Sequence, residues 1–410
     1  MTPLGLVTEQ HEALRAGAAQ LAGELTVLRR RLHQCAEIGL ELPRTQAMVL
    51  DALADTEVEL SRGQRCSSVV GVLRGRGGPG APAVLLRGDM DALPVTEETG
   101  EPFAAPAGAM HACGHDLHTA GLVGAAKLLS RHRDQLAGDV VFMFQPGEEG
   151  HDGAGAMIAE GVLDAAGPRV SAAYGLHVFS SMLPRGVFGT RPGPLMAASS
   201  GLLVTVHGVG GHASRPHTSA DPIVVAAEMV TALQTLVTRQ FDVFEPVVIT
   251  VGTFHAGTRG NVIPSTATFE GTLRAFSLDS LDRLRARSVR LCTQIAAAYG
   301  MTADVTFDSE YPVTVNDAEH AGFALEVAAD LFGSERSQLL RDPVMGSEDF
   351  SRVLEEVPGA YLFLGACVDD DPLTAPSNHS ALARFSETVL PDAALLLASL
   401  AVRRLPLLDD

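Results

Sequence analysis

Basic charge is in short supply in this chain. Its 410 residues carry 30 Lys and Arg against 49 Asp and Glu, a formal charge of −19, which argues against nucleic acid or an anionic membrane surface as partner. A small anionic substrate stays open, because one local arginine overrides the global field. Lysine is nearly missing. Lys127 stands alone, a bias that reflects genomic base composition rather than chemistry. Cysteine is sparse as well: the five at 35, 66, 113, 292 and 367 form an odd set without repeating spacing. A disulfide framework is therefore not expected, and a reducing, cytoplasmic setting is. No apolar run reaches the roughly 18 residues that span a bilayer. The opening MTPLGLVTEQHEAL has neither the basic start nor the apolar stretch of a signal peptide. Repeats and low-complexity tracts are lacking. What remains is globular, 46% hydrophobic and 19% charged, and its length predicts two domains at roughly 100 to 200 residues each.

Against this background one segment stands out. Met110 to His118, MHACGHDLH, holds one cysteine and three histidines, a density of soft donors that points to zinc or a neighbouring divalent metal. Asp116 is available to ligate or to orient an imidazole from behind. A single segment cannot close a site, and other candidate ligands arrive in one recurring setting, a strand that stops and releases polar residues. DVVFMF at 139–144 runs into QPGEEG with Glu148 and Glu149. AAYGLHV at 172–178 delivers His177. AYLFLGA at 360–366 leads to Ser377, Asn378 and His379, and Ala83–Arg87 runs into GDMDALP with Asp89 and Asp91. Continuously apolar strands suit a sheet covered on both faces, so the fold class is α/β with a mostly parallel sheet. In such sheets ligands bind outside the carboxyl ends of the strands, where these side chains converge.

Helical periodicity marks Gln10 to Gln34, with leucines at 14, 21, 25, 28 and 32, and a helix ending near His132 for which Asp116 is the expected cap. From about Leu195 to Tyr311 the pattern changes. GLLVTVHGV, a helix opened by Asp221 and Pro222, PVVITVGTFHAG, TATFEGTLRAF, a helix from Leu278 and TADVTFDSEY follow in the order β-α-β-β-α-β, that of a ferredoxin-like α+β domain. The last ligand-bearing strand comes after it, so it is an insertion. The expected domains are 1–194 with 312–410 for metal binding, and 195–311 inserted.

MHACGHDLHTA, QPGEEG, YGLHV, GVGGHASRPH, GNVIPSTATFEGTLR, YPVTVND and GSEDFS, in this order, resemble the motifs of the dinuclear-metal aminoacylase and carboxypeptidase superfamily. The branch is that of indole-3-acetyl-amino acid hydrolases, hippurate hydrolases and N-acyl-amino acid deacylases. The resemblance spans nearly the whole chain. It implies a hydrolase that splits the amide of an N-acyl or N-aroyl amino acid, with two divalent ions per subunit held by Cys113, His115, Glu149, His177 and His379. Zinc, manganese, cobalt and nickel all suit this donor set. Two ions about 3.5 to 4 Å apart can activate a bridging water and stabilise the tetrahedral oxyanion. Glu148 matches the general base. Asp91 matches the acid that supports the centre. His212 matches a residue that reaches a partner's site across a homodimer built through the inserted domain, which thus serves as dimerisation or lid domain. Asn261 and Arg274 match positions that grip the substrate's carboxylate or carbonyl, for which a guanidinium fork is apt.

Three departures are visible. RRLHQCAE stands where the family reads LHQHPE after an acidic residue, so His33 receives no catalytic role and Cys35 and Arg31 occupy the altered positions. PGEEG replaces PAEEG, loosening the backbone without touching either carboxylate. The last ligand lies in SNHS rather than LHS. His217 is read as a turn residue. Competing readings are a dipeptidase, carboxypeptidase or carbamoyl-type hydrolase on the same fold, and a thiolate mechanism with Cys113 as nucleophile and His115 as base. The last leaves the surplus histidines unexplained, and a non-enzymatic metal protein has no need of Glu148.

Overall fold

The computed structural model describes residues 4–78, 80–308 and 311–408. Ser309 and Glu310, inside the stretch expected to close the insertion, lie outside the described residues. The chain divides into two compact units, Met1–Leu195 with Val315–Asp342 and Asp349–Asp410, and Met196–Thr314 with Pro343–Glu348. The return segment Pro343–Glu348 thus belongs to the second unit, not to the C-terminal part of the first. Hydrogen bonds explain the assignment: Ala197 N donates to the Val344 and Gly346 carbonyls at 3.2 and 2.8 Å, and Arg274 Nη1 donates to the Met345 carbonyl at 2.9 Å.

In the first unit eight strands form one sheet. Its centre is parallel: Ala83–Asp89 pairs with Asp139–Gln145 on one side and Ala172–Phe179 on the other, and Ala172–Phe179 pairs with Gly359–Gly365. Antiparallel pairings occur towards the margins, between Glu59–Arg62 and Val69–Leu73, between Val69–Leu73 and Asp139–Gln145, and between Gly359–Gly365 and Phe188–Thr190. The sheet is therefore mixed, with a parallel core. Ala83–Asp89, Asp139–Gln145 and Gly359–Gly365 are buried at every position, the pattern required of strands covered on both faces. The first of these runs on to Asp89, two residues past the apolar run, because the ladder continues to the pair Asp89 and Gln145.

The helix His115–Arg131 lies against this sheet and packs on helices Leu4–Cys35 and Leu390–Arg404, which also pack on each other. Leu14, Leu21, Leu25 and Leu32 of the first are at most 2% exposed, each burial contributing roughly 1.5–3 kcal/mol. That helix begins at Leu4, upstream of the leucine periodicity that marked Gln10. Mid-helix Gly124 permits the close approach, since a Cβ there would sit 2.7 Å from Ala394 Cβ and 2.8 Å from Leu25 Cδ1. At the N-terminus of the central helix the expected cap is overturned. Gly114, at φ 85°, is the N-cap and no side chain caps the helix. A Cβ at 114 would collide with Val178, so glycine meets both a conformational and a steric requirement there.

The second unit contains a four-stranded antiparallel sheet, ordered Val247–Ala256, Thr266–Ala275, Ala198–His207, Thr302–Thr306. Helices Pro222–Gln240 and Leu278–Ala298 pack on it, and Val204, Val206, Leu233, Phe269, Leu284 and Cys292 form its own core. Asp221 caps the first helix by accepting from Ile223 N at 3.0 Å, and Pro222 takes the first helical position, where the missing N–H costs nothing. Among the described residues no helix is long and apolar enough to cross a membrane.

Candidate metal centre

The ligand candidates of the first unit lie just past strand Asp139–Gln145, near the end of Ala172–Phe179 and in the segment after Gly359–Gly365, and they meet the turn that opens the central helix. Cys113 sits in that turn and is buried. Its Sγ lies 3.4 Å from His177 Nε2 and 3.2 Å from His379 Nε2, and Glu149 Oε1 lies 3.1 Å from His379 Nε2. Donor atoms of Cys113, His115 and His177 fall within 4.8 Å of one another, and so do those of Cys113, Glu149 and His379. Cys113 thus belongs to two triads. His115, Glu148 and Glu149 form a third close group.

Hydrogen bonds assign the rings. His177 Nδ1 is 2.8 Å from the Val178 carbonyl, which can only accept, so this nitrogen carries the proton and the Nε2 lone pair faces the thiol. Burial, aided by His118, holds the His177 pKa well below the imidazole norm, leaving the ring neutral. His118 is satisfied by the protein: Nε2 accepts the Val178 amide at 2.7 Å, and Nδ1 donates to Asp89 Oδ1 at 2.5 Å. That distinguishes it from His115, buried with neither ring nitrogen hydrogen-bonded among the described residues. His115 lies 3.4 Å from Asp91 and 3.6 Å from Asp89. Burial opposes its charge, yet Asp89, Asp91 and Cys113 raise its pKa.

Asp91 does a second job, accepting the backbone N–H groups of Glu148 and Glu149, each at 3.0 Å. It therefore fixes the GEEG loop from below while flanking His115. Behind it, burial works against ionisation of Asp89, but Arg87, His115 and His118 hold its carboxyl well below the usual range. Arg87, fully buried, donates to Asp89 at 2.6 Å and to Asp349 at 3.0 Å; Asp349 also accepts from Gln145 and from Ala154 N. Asp349 is in this way tied to both ends of the loop that carries the glutamates.

The His379 segment is pinned to the strand that carries His177. Asn378 Nδ2 donates to the Val178 carbonyl at 3.0 Å and its Oδ1 accepts from Ser180 N at 2.9 Å. His379 itself has φ 69°, sparsely populated backbone for a residue with a Cβ and of the kind that gathers at functional sites. Its side chain is half exposed. The donor set of sulfur, imidazole and carboxylate, with unbonded buried nitrogens on His115, fits a pair of divalent transition ions.

Two readings of the sequence change here. Among the described residues Asp116 bonds to no candidate ligand side chain: its Oδ2 lies 2.7 Å from His33 Nδ1 and 2.8 Å from Arg29 Nε. His33, assigned nothing, is a buried node that also reaches Glu97 at 3.0 Å. Of the three histidines of the motif, His111 is fully buried without a hydrogen-bond partner among the described residues, and burial lowers its pKa to about 4.

In the second unit the structure joins two separate motifs. Gly211–His212 pairs with Val262–Ile263, His212 facing Val262 across the ladder, and Ala213 N donates to the Asn261 carbonyl at 3.1 Å. His212 is exposed, and its Nδ1 accepts from Ser214 N at 3.1 Å, which leaves Nε2 as the donor. Arg274 is half-buried and spends Nη1 on the Met345 carbonyl at 2.9 Å and Ser347 Oγ at 3.3 Å. His217 lies in the exposed turn Pro216–Thr218.

Comparison with known proteins bears on this arrangement. The model of peptidase family M20/M25/M40 matches residues 85–403. Thermostable carboxypeptidase 1 of Saccharolobus solfataricus is 38% identical over 96% of this chain and 98% of its own. An ILR1-like IAA-amino acid hydrolase of Arabidopsis thaliana is 39% identical over 92% of this chain and 85% of its own. Among solved structures, a Bacillus subtilis protein described as a dinuclear metal-binding peptidase of the M20 family superposes with a TM-score of 0.79. It is 31% identical and covers 95% of this chain and 99% of that one.

Proposed function

The chain belongs to peptidase family M20/M25/M40, and from that premise we propose that it is a metal-dependent amidohydrolase of N-acyl or N-aroyl amino acids, releasing a carboxylic acid and a free amino acid. The observation that carries the reading is the sharing of Cys113 between the triads with His115 and His177 and with Glu149 and His379. Such a set would hold two divalent ions, with Cys113 able to serve both. Divalent ions bound there supply a lowered water pKa and a positive field at the scissile carbonyl.

The remaining work falls to the chain's own groups. Glu148, buried beside Glu149 with its backbone fixed by Asp91, takes the proton of the attacking water as the C–O bond forms. It then delivers that proton to the departing nitrogen as the C–N bond breaks. His212, its Nδ1 occupied by Ser214, presents Nε2–H as a donor to the carbonyl oxygen from a partner subunit in a homodimer joined through the second unit. Asn261 beside it holds the substrate's polar end. Arg274 contributes a terminal nitrogen left over from its bonds to Met345 and Ser347, and so grips a carboxylate while it secures the return segment.

A second reading, peptide cleavage as a carboxypeptidase or dipeptidase, is favoured by the relative named as a carboxypeptidase. A mass-spectrometric screen of the metal-loaded protein against N-acetyl, N-benzoyl and N-indoleacetyl amino acids and dipeptides separates the two. Free amino acid from the acyl conjugates at higher kcat/KM than from dipeptides is expected. The reverse order transfers the protein to the second reading, and no turnover of either set sinks both.

A further inference from the structure

One buried charged cluster in the first unit takes part in no step above. Near its C-terminal end, helix Leu4–Cys35 presents Arg29, Arg30 and His33. His33 bridges two carboxylates, Asp116 through Nδ1 at 2.7 Å and Glu97 through Nε2 at 3.0 Å, while Arg29 Nε adds a second cation 2.8 Å from Asp116. None of these four side chains is more than 3% exposed. Carboxylates accept, so the ring donates from both nitrogens and is an imidazolium. Phe103 closes the cluster from one side, edge-on to His33 at 5.5 Å and under Arg29 and Arg30 at 4.8 and 4.9 Å.

Such a quartet is an expensive way to hold a fold together. Desolvating each ion costs several kcal/mol, and well-packed apolar side chains often serve stability as well or better. What the ion pairs supply is geometry, and the backbones they hold are informative. Asp116 directly follows His115. Glu97 precedes Glu98, whose N–H donates to the Ala381 carbonyl at 2.9 Å, two residues beyond His379. Further along that same segment Glu387 accepts from Arg30 Nη2 at 2.7 Å and from Arg29 Nη1 at 3.3 Å. One helix end therefore grips both the Cys113–His115 turn and the segment that carries His379.

We infer that His33, with Arg29 and Glu97, is a positioning device that sets the separation of the two ligand segments on either side of the shared thiolate, and so tunes affinity for the metal pair. The inference rests on the dinuclear reading of the site. It makes His33 a residue acting through Asp116 and Glu97, not one that touches substrate. The cluster differs from an ordinary structural ion pair in one testable respect. A structural role changes the melting temperature alone, whereas a positioning role changes ion binding in protein that remains folded.

Wild type, His33→Gln, Glu97→Gln and the packing control Phe103→Leu are to be stripped with chelator and titrated with Zn²⁺ against a chromophoric competitor, with melting curves of the metal-free forms. Wild type takes up two ions. Both polar variants bind zinc roughly 10- to 100-fold more weakly, the range for partners that orient ligands from behind. Their KM stays at the wild-type value, and their kcat, low at limiting zinc, recovers in excess zinc. Phe103→Leu keeps wild-type affinity. Wild-type affinity in both polar variants, with only a lower melting temperature, overturns the positioning role and leaves the dinuclear reading standing. Equal weakening in Phe103→Leu also overturns it, because packing then explains the effect. Failure of wild type itself to bind a pair of ions removes the dinuclear reading and this inference with it. If His33→Gln does not fold, Glu97→Gln, which keeps shape and loses only charge, decides alone.

Discussion

The two units treat their functional candidates in opposite ways. In the first, Cys113, His115, His177 and Glu148 are buried, and the loops that carry them are bonded to Asp91, Asn378 and the Arg87–Asp349 network. In the second, His212 stands exposed on a short ladder, its ring bonded within the described residues to Ser214 two positions on. A metal pair demands rigid donors in a dry pocket, and the first unit builds them by spending buried charge. A side chain that meets substrate from another surface needs only a defined tautomer and a stiff turn. On the proposed function, the contrast is one between a site built within its own unit and a contribution that awaits a second body.

The sharpest way to break this comparison is to disable one side at a time. Glu148→Gln removes the proton carrier and no ligand, so kcat is expected to fall by about 10² to 10⁴ with both ions retained, read by steady-state kinetics alongside metal analysis. Loss of metal with activity means that Glu148 and Glu149 have exchanged roles. His212→Ala is likewise expected to be nearly inactive while holding its metals. Mixed with Glu148→Gln under subunit exchange, it should regain up to about a quarter of wild-type sites, since random pairing joins an intact metal centre to a partner's intact histidine. A mixture that stays inactive despite demonstrated exchange confines His212 to its own chain.

A smaller effect tests the buried charge of the first unit by pH. Against the penalty of burial, Asp116 and Glu97 raise His33 from 6.5 to about 9, and Glu97, despite burial, is lowered from 4.5 to about 2 by His33, Thr99 and the Ala105 amide. The His33 contribution is present below pH 6.5 and is lost as pH rises through about 9. That of Glu97 is present above pH 4.5 and is lost as pH falls through about 2. The stability gap between wild type and His33→Gln, of order 1–3 kcal/mol, is therefore expected to be widest between pH 4.5 and 6.5. A gap flat from pH 4 to 10 contradicts the charged bridge. Smallest is Asp221→Ala, which deletes the cap of the helix Pro222–Gln240. It should cost about 1 kcal/mol in the second unit and leave the zinc affinity of the first untouched, as denaturant melts and zinc titration will show.

Much of this was legible in the chain, for reasons that can be named. Strands buried on both faces announce themselves as unbroken apolar runs, so DVVFMF and AAYGLHV were read almost to the residue, and Asp221 with Pro222 marks a helix start by chemistry alone. That Cys113, His115, Glu149, His177 and His379 come together was legible because motifs of fixed order carried them, and the structure groups their donor atoms. The His33 node was not. Its partners Glu97 and Asp116 lie 64 and 83 residues away, and no local period encodes a bridge between two distant carboxylates. Asp116 looked like a cap because acids favour that place, yet Gly114 holds it through a positive φ that the letter sequence MHACGHD does not display. Arg87 reads in the sequence as the end of an apolar strand, because burial of a guanidinium is visible only once Asp89 and Asp349 are seen around it.

The central claim is that Cys113 is common to two cation positions, and metal stoichiometry in wild type and Cys113→Ser tests it most directly. The account predicts two zinc ions per wild-type chain by equilibrium titration. In Cys113→Ser both should be weakened together, by more than the roughly 10- to 100-fold that distant orienting partners cost, since a hydroxyl is a poor donor to a soft ion. Two ions retained at wild-type affinity in Cys113→Ser, or one ion lost while the other binds unchanged, would contradict it.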